Sequence, residues 1–312
     1  IVISDNASTD NTKEVIELFN DKRIMYYKNK INIGVLPNLR KAVKLAQGKY
    51  VLLQGDDDFI IDKDCLTEVQ KIILKEKPGY VRLNYLSLSP DKKNIFDFRA
   101  SKFYEKNVKI RAGEENSKII EFLLKADASF IAGVLFKNDL GKGVGIFYSD
   151  LYSWFPIIFY TTKKFGAIYL NKPYFIAGWS VWNKKSYSRY PLYSVESGKL
   201  STEKLLVFLK SRLKNNEYKE FRREHLLNVY VKNFMIIKLF TGRKNMLRLA
   251  VRIRELEPEL NREIYFMLNL FVALIVPKLI LRIIRKFYLL IYIKKSTQKT
   301  HKYGKIIEKF VA

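Results

Sequence analysis

The chain has 312 residues, 48% of them hydrophobic, with 21 Phe and 20 Tyr, which is enough apolar material for one large or two medium cores and excludes an intrinsically disordered chain. Lys and Arg number 57 against 31 Asp and Glu, a net charge of +26 that asks for an anionic partner: nucleic acid, acidic lipid headgroups or a phosphorylated small molecule. A single cysteine, Cys65, excludes an internal disulfide framework and fits a reducing compartment, and with His225 and His301 as the only histidines a zinc site is disfavoured.

Strand and helix signals alternate over the first ninety residues. Ile1–Ile3 reads as a strand end running into Ser4-Asp5-Asn6-Ala7-Ser8-Thr9-Asp10-Asn11-Thr12. Lys13–Phe19 then places Val15, Ile16, Leu18 and Phe19 on one helix face. Arg23–Tyr27 is a second strand, Asn32-Ile33-Gly34 a turn, and Asn38–Ala46 a helix with Pro37 in its first turn and Gly48 as its stop. Tyr50–Leu53, Cys65–Glu76 and Tyr80–Leu88 follow as strand, helix and strand, with Cys65 packed as a small apolar residue. This alternation predicts an α/β fold with a parallel, doubly wound sheet, whose ligands bind beyond the carboxyl ends of the strands. Asp5 and the triplet Asp56-Asp57-Asp58 both sit at such ends.

Three adjacent carboxylates repel one another. A divalent ion carrying a diphosphate would neutralise them, because hard cations take oxygen ligands and bridge phosphate oxygens. An acidic turn between strand and helix is the plainer alternative. Asp10 and Thr12 are explained as helix caps; Asp5 lies too far before the helix for that and suits hydrogen bonds from a base or ribose.

Further along, a polar loop at Ser89–Asn94 leads to a helix around Ser117–Lys125 and a strand at Ser129–Phe136. Asp150–Tyr160 reads as a buried helix, and Phe165–Leu170 and Pro173–Ala177 as closing strands. From Ser201 helical periodicity runs to about Leu256, broken at Thr241-Gly242 and stopped by Glu257-Pro258. The expected organisation is a unit over 1–200, a helical extension over 201–258 and an apolar, basic helical segment over 259–312.

The segments Asp5–Thr12, Asn32-Ile33-Gly34 and Ala46-Gln47-Gly48-Lys49-Tyr50-Val51-Leu52-Leu53-Gln54-Gly55-Asp56-Asp57-Asp58, in that order and spacing, resemble family 2 of the nucleotide-sugar glycosyltransferases, inverting enzymes of the A-type, Rossmann-like fold. The resemblance covers roughly residues 1–180. It implies that Asp5 contacts the nucleotide base, that Asp57 and, in one of two registers, Asp56 face the nucleotide, and that Asp58 holds Mg²⁺ or Mn²⁺ on the diphosphate. It also implies a general base at Asp150 in Tyr148-Ser149-Asp150-Leu151, where many relatives carry Glu-Asp. A simple N-cap is the other reading of Asp150. The family's first strand, interior to its sheet, precedes the segment matching Ile1–Ile3, so the resemblance reads the chain as a fragment and predicts a gap between the strands bearing Asp5 and Asp58.

The C-terminal third carries a separate signal. From Lys278 to Lys309 there are ten Lys and Arg and one acidic residue, Glu308. Tyr265–Val276 spans 12 residues, short of the ~20 needed to cross a bilayer, and Arg282, Arg285 and Lys286 interrupt the next apolar run. Monotopic attachment to the anionic cytoplasmic face of the cell membrane fits best; a transmembrane hairpin about Pro277 and a buried helical bundle are the alternatives.

Together with the resemblance, the sequence therefore predicts a metal-dependent glycosyltransferase that moves a sugar from a nucleotide-sugar donor to an acceptor hydroxyl on a lipid-linked glycan or other glycoconjugate near the membrane. Trp154, Trp179 and Trp182 are candidates for stacking on sugars or for the core. A basic nucleic-acid-binding protein and a non-catalytic nucleotide-sugar binder are the competing classes; no recognised nucleic-acid-binding motif supports the first.

Overall fold

The computed structural model describes residues 1–88, 95–96, 106–128, 130–138, 152–177, 199–287 and 291. Strand β1 (Val2–Asp5), helix α1 (Thr12–Glu17), strand β2 (Met25–Lys28) and helix α2 (Val35–Leu45) form the first unit. β1 and β2 pair in parallel, with Asp5 opposite Lys28. Next come β3 (Tyr50–Leu53), β4 (Phe59–Ile60), α3 (Cys65–Glu76), β5 (Tyr80–Leu88), β6 (Ile95–Phe96), β7 (Val108–Ile110), α4 (Asn116–Lys125), β8 (Val134–Lys137), α5 (Phe155–Phe165) and β9 (Ala167–Ala177).

The sheet is mixed, where a parallel one was expected. Its main path is β3-β8-β5-β9-β4, with β6 added to β5 and β7 to β9. β5 and β9 run parallel. β6 turns back antiparallel on β5, and β8 returns antiparallel to both β3 and β5. β6 turns back on β5 with no helix between them, and β8 returns antiparallel even though α4 precedes it, so a helix between strands does not by itself make them parallel neighbours. The two closing strands expected over 165–177 are one, β9; its polar interruption at Asn171–Pro173 is absorbed as register shifts against Leu83–Tyr85.

β1–β2 is a two-stranded sheet separate from β3 among the described residues. α2 lies over both parts. It packs on β1, and its buried Val43 joins Val51 and Leu53 of β3 in the main core. α1 departs from expectation: it buries no residue, and Leu18 and Phe19 lie beyond its end, exposed. A helical apolar period fixes which side chains share a face, but not whether anything covers that face.

α4 and α5 cover the main core with Ile119, Phe122, Phe155, Ile158 and Trp154, so Trp154 is a core residue. Trp179 and Trp182 lie outside the described residues. The C-terminal helices are α6 (Glu203–Lys210), α7 (Asn215–Val229), α8 (Phe234–Thr241), α9 (Arg243–Leu256) and α10 (Ile264–Ile275). α6 belongs with the main core: Phe208 meets Phe155 and Phe159 edge-to-face. A second core gathers Leu226, Phe234, Ile237, Leu249, Ile253 and Phe266.

His225 on α7 is buried between Phe221, whose ring stacks at 5.4 Å, and Tyr152. Burial lowers its pKa to about 4. The unfolded chain takes up this proton near pH 6.5, the folded one only near 4, so stability is complete above 6.5 and falls as pH drops through that window. We expect a loss of about 3 kcal/mol from this site by pH 4, seen as a falling urea midpoint, and a flatter profile over the same range for His225→Phe.

Candidate functional site

Asp5 ends β1 with its side chain buried. Its carboxylate accepts hydrogen bonds from the Ser8 backbone N–H, at 2.7 Å, and from the Tyr26 hydroxyl on β2. Burial would raise the Asp5 pKa, but these bonds and the Lys28 charge outweigh it and the pKa is lowered. In return Asp5 pushes Tyr26 up to about 12. Asp5 is therefore an ionised, oriented acceptor at a strand end.

The tight turn that brings Ser8 back puts Ala7 at φ 66°. A Cβ is disfavoured in that left-handed region by roughly 1–2 kcal/mol. Ala7→Gly is expected to raise stability by about 0.5–1 kcal/mol, after glycine's larger unfolded-state entropy is set against the relief; a urea melt measures it.

An asparagine network locks this turn to α2. Asn6 Oδ1 accepts from Ile33 N at 2.9 Å, and Asn6 Nδ2 donates to Asn32 Oδ1 at 2.9 Å. Asn38 Nδ2 donates to Ser4 O, and Asn29 Nδ2 donates to Asn38 Oδ1. Lys41 Nζ donates to Asn29 Oδ1 at 2.7 Å. Tyr26, Asn29, Asn38 and Lys41 escaped the sequence reading; the recurring asparagines were the available signal, but spacing alone does not show that they meet.

The acidic triplet forms the turn between β3 and β4. Asp56 and Asp57 are exposed and Asp58 is buried. The Gly55 N–H donates to Asp58 Oδ2 at 3.1 Å, and Gln54 Nε2 donates to the Asp58 carbonyl at 2.6 Å. β4 then pairs with Phe175 and Ile176 of β9, anchoring the far side of the turn. Desolvation first, and the Asp56 charge second, raise the Asp57 pKa.

Gly55 sets the shape of the turn. A Cβ there would lie 2.8 Å from Asp58 Oδ2 and 2.9 Å from Asp57 Oδ1. Two carboxylate oxygens thus close in on the Gly55 Cα, where any side chain would push them aside. Mg²⁺ is commonly held by one or two carboxylates plus substrate phosphates, and this pair fits that donor set. Among the described residues no group of three or more His, Cys, Asp or Glu is placed to hold an ion by itself.

Asp57 and Asp58 are thus brought together, while Asp5 keeps its own partners, Ser8 in the following turn and Tyr26 on β2. Asp150, the expected base, lies outside the described residues.

Residues 1–110 match the family model for glycosyl transferase family 2. Among curated proteins, the abequosyltransferase RfbV of Salmonella typhimurium is 41% identical over 84 residues, 26% of this chain. The glucosyltransferase WfaP of Escherichia coli, named for action on α-D-GlcNAc-diphosphoundecaprenol with UDP-Glc, is 28% identical over 91 residues, 28% of this chain. The matched stretches span 25% and 36% of those relatives' own lengths. Among solved structures, S. aureus TarS 1-349 in complex with UDP-GlcNAc aligns over 83% of this chain and 82% of that one, with 16% identity and a TM-score of 0.46. The matched segment holds both Asp5 and the Asp56–Asp58 turn.

Proposed function

We propose that the chain transfers a sugar from a nucleotide-sugar donor to an acceptor hydroxyl, with inversion and with Mg²⁺ or Mn²⁺. The observation that carries this reading is the convergence of the Asp57 and Asp58 carboxylates over Gly55, in a segment of glycosyl transferase family 2. Asp58 would hold the divalent ion, which would supply charge neutralisation for the departing diphosphate. Asp5 accepts hydrogen bonds from the nucleotide, and Asp56 and Asp57 face it.

The acceptor oxygen attacks the anomeric carbon as the bond to the diphosphate breaks. Its proton passes to the Asp150 carboxylate, because a hydroxyl is a weak nucleophile at neutral pH. One attack from the face opposite the leaving group inverts the centre. The acceptor class we favour is a lipid-linked glycan or other glycoconjugate near the membrane; the relative WfaP is named for action on a diphosphoundecaprenol-linked sugar. The C-terminal helices make the chain membrane-proximal in this reading.

Labelled UDP-, GDP- and dTDP-sugars offered with lipid-linked acceptors test the activity. Asp150→Asn is expected to lower turnover by a factor of about 10²–10⁴ while sparing donor binding. Near-normal turnover would remove Asp150 from the base role.

A further inference from the structure

α10 presents an outer face that a water-exposed helix does not normally have. Phe266, Leu270 and Ala273 turn into the second core, while Ile264, Leu268, Phe271 and Ile275 are exposed on the opposite side. At about 100° per residue those exposed side chains form one stripe. Solvated faces are usually polar.

The chain then bends by 109° into α11 (Lys278–Phe287). The bend is pinned. The buried Lys238 ammonium on α8 donates to the carbonyls of Ala273 and Val276, both at 2.7 Å, and of Leu274 at 3.2 Å. These are carbonyls at the end of α10 that lack helical partners.

On α11 only Leu281 is buried. Leu279, Ile280, Ile283, Ile284 and Phe287 are exposed and fall within an arc of about 140°. Lys278 and Arg285 occupy the opposite side, Arg285 lying 4.7 Å from the Phe240 ring centroid, and Arg282 and Lys286 flank the arc on one edge. No acidic residue occurs between Ile264 and Phe287.

We propose that the outward apolar faces of α10 and α11 seat the chain on an anionic bilayer, lying along it rather than crossing it. Charge decides for a membrane over a second copy of the chain. Cations opposite an apolar arc can reach headgroups while the arc enters the acyl boundary. A net charge of +26 opposes self-association and favours an anionic surface. Length and shape argue against crossing: α10 extends only about 18 Å against a hydrocarbon core of about 30 Å, no single described helix is long and apolar enough to span, and α10 and α11, long and apolar enough together, are bent by 109° rather than continuous. This proposal stands independently of sugar transfer.

Flotation of the full chain with vesicles tests it. Binding to phosphatidylcholine–phosphatidylglycerol vesicles is expected to exceed binding to pure phosphatidylcholine at least tenfold. The triple variant Leu279→Ser, Ile283→Ser, Phe287→Ser, with an unchanged circular dichroism spectrum, is expected to lose at least tenfold. Val207→Ser, an exposed apolar site on α6, should float as the parent does. The proposal is overturned if the parent fails to float with anionic vesicles or if the triple variant floats as well as the parent. It is equally overturned if the parent is a stable oligomer in solution that the triple variant converts to monomers.

Discussion

Asp58→Asn is expected to lower sugar transfer at least a hundredfold while leaving the fold intact. The substitution keeps an oxygen that can accept from the Gly55 N–H, the bond that shapes the turn. It removes the negative charge facing the space beside Asp57 Oδ1. Electrostatic stabilisation of a departing diphosphate depends on that charge, and loss of one such element commonly costs about 10²–10³ in rate. Gly55→Ala probes the same place from the other side: its Cβ would press on both carboxylate oxygens. A Tm close to the parent's, alongside lost turnover, distinguishes loss of chemistry from loss of structure. Retained turnover in Asp58→Asn would remove Asp58 from the metal role.

Arg82→Met is expected to have the opposite signature, a large loss of stability. Arg82 lies in the middle of β5 and is completely buried. Its guanidinium donates to the carbonyls of Ala126, at 3.0 Å, of Phe130, at 3.3 Å, and of Ala132. These carbonyls belong to the connection from α4 to β8, where Asp127 takes a φ of 52° and accepts from the Tyr85 hydroxyl at 2.6 Å. Methionine fills much of the space but donates nothing. Each buried carbonyl left unsatisfied costs about 1–3 kcal/mol, so a loss of about 3 kcal/mol or more is expected. At this chain length that corresponds to a Tm lower by roughly 6 °C. Calorimetry of the variant checks it, and an unchanged Tm would show that the connection holds itself without the arginine.

Arg82 also marks a limit of reading the sequence. A basic residue between Val81 and Leu83 looks like a break in an apolar strand, and only the folded chain shows the carbonyl cage that receives it. By contrast, β3, α3 and β5 were legible to the residue, because short apolar or amphipathic runs are bounded there by Gly48, the acidic turn and Pro78-Gly79. The two-residue β4 was not, since its pairing with β9 depends on residues more than a hundred positions away. Strand direction was misjudged for a related reason: local patterns identify strands but not the reversals between them. The acidic turn was visible as a triplet, while the converging oxygens depend on Gly55 and the backbone turn around it. Asp5 was legible as a strand-end carboxylate; its Tyr26 partner comes from parallel pairing that no local pattern encodes.

Calorimetric titration of UDP, GDP and dTDP into the full chain, with and without Mn²⁺, tests the central claim most directly. The account predicts that at least one of these diphosphates binds, that binding needs the ion, and that Asp58→Asn weakens it at least tenfold. Failure of all three to bind with Mn²⁺ present, or binding indifferent to both the ion and Asp58, would contradict it.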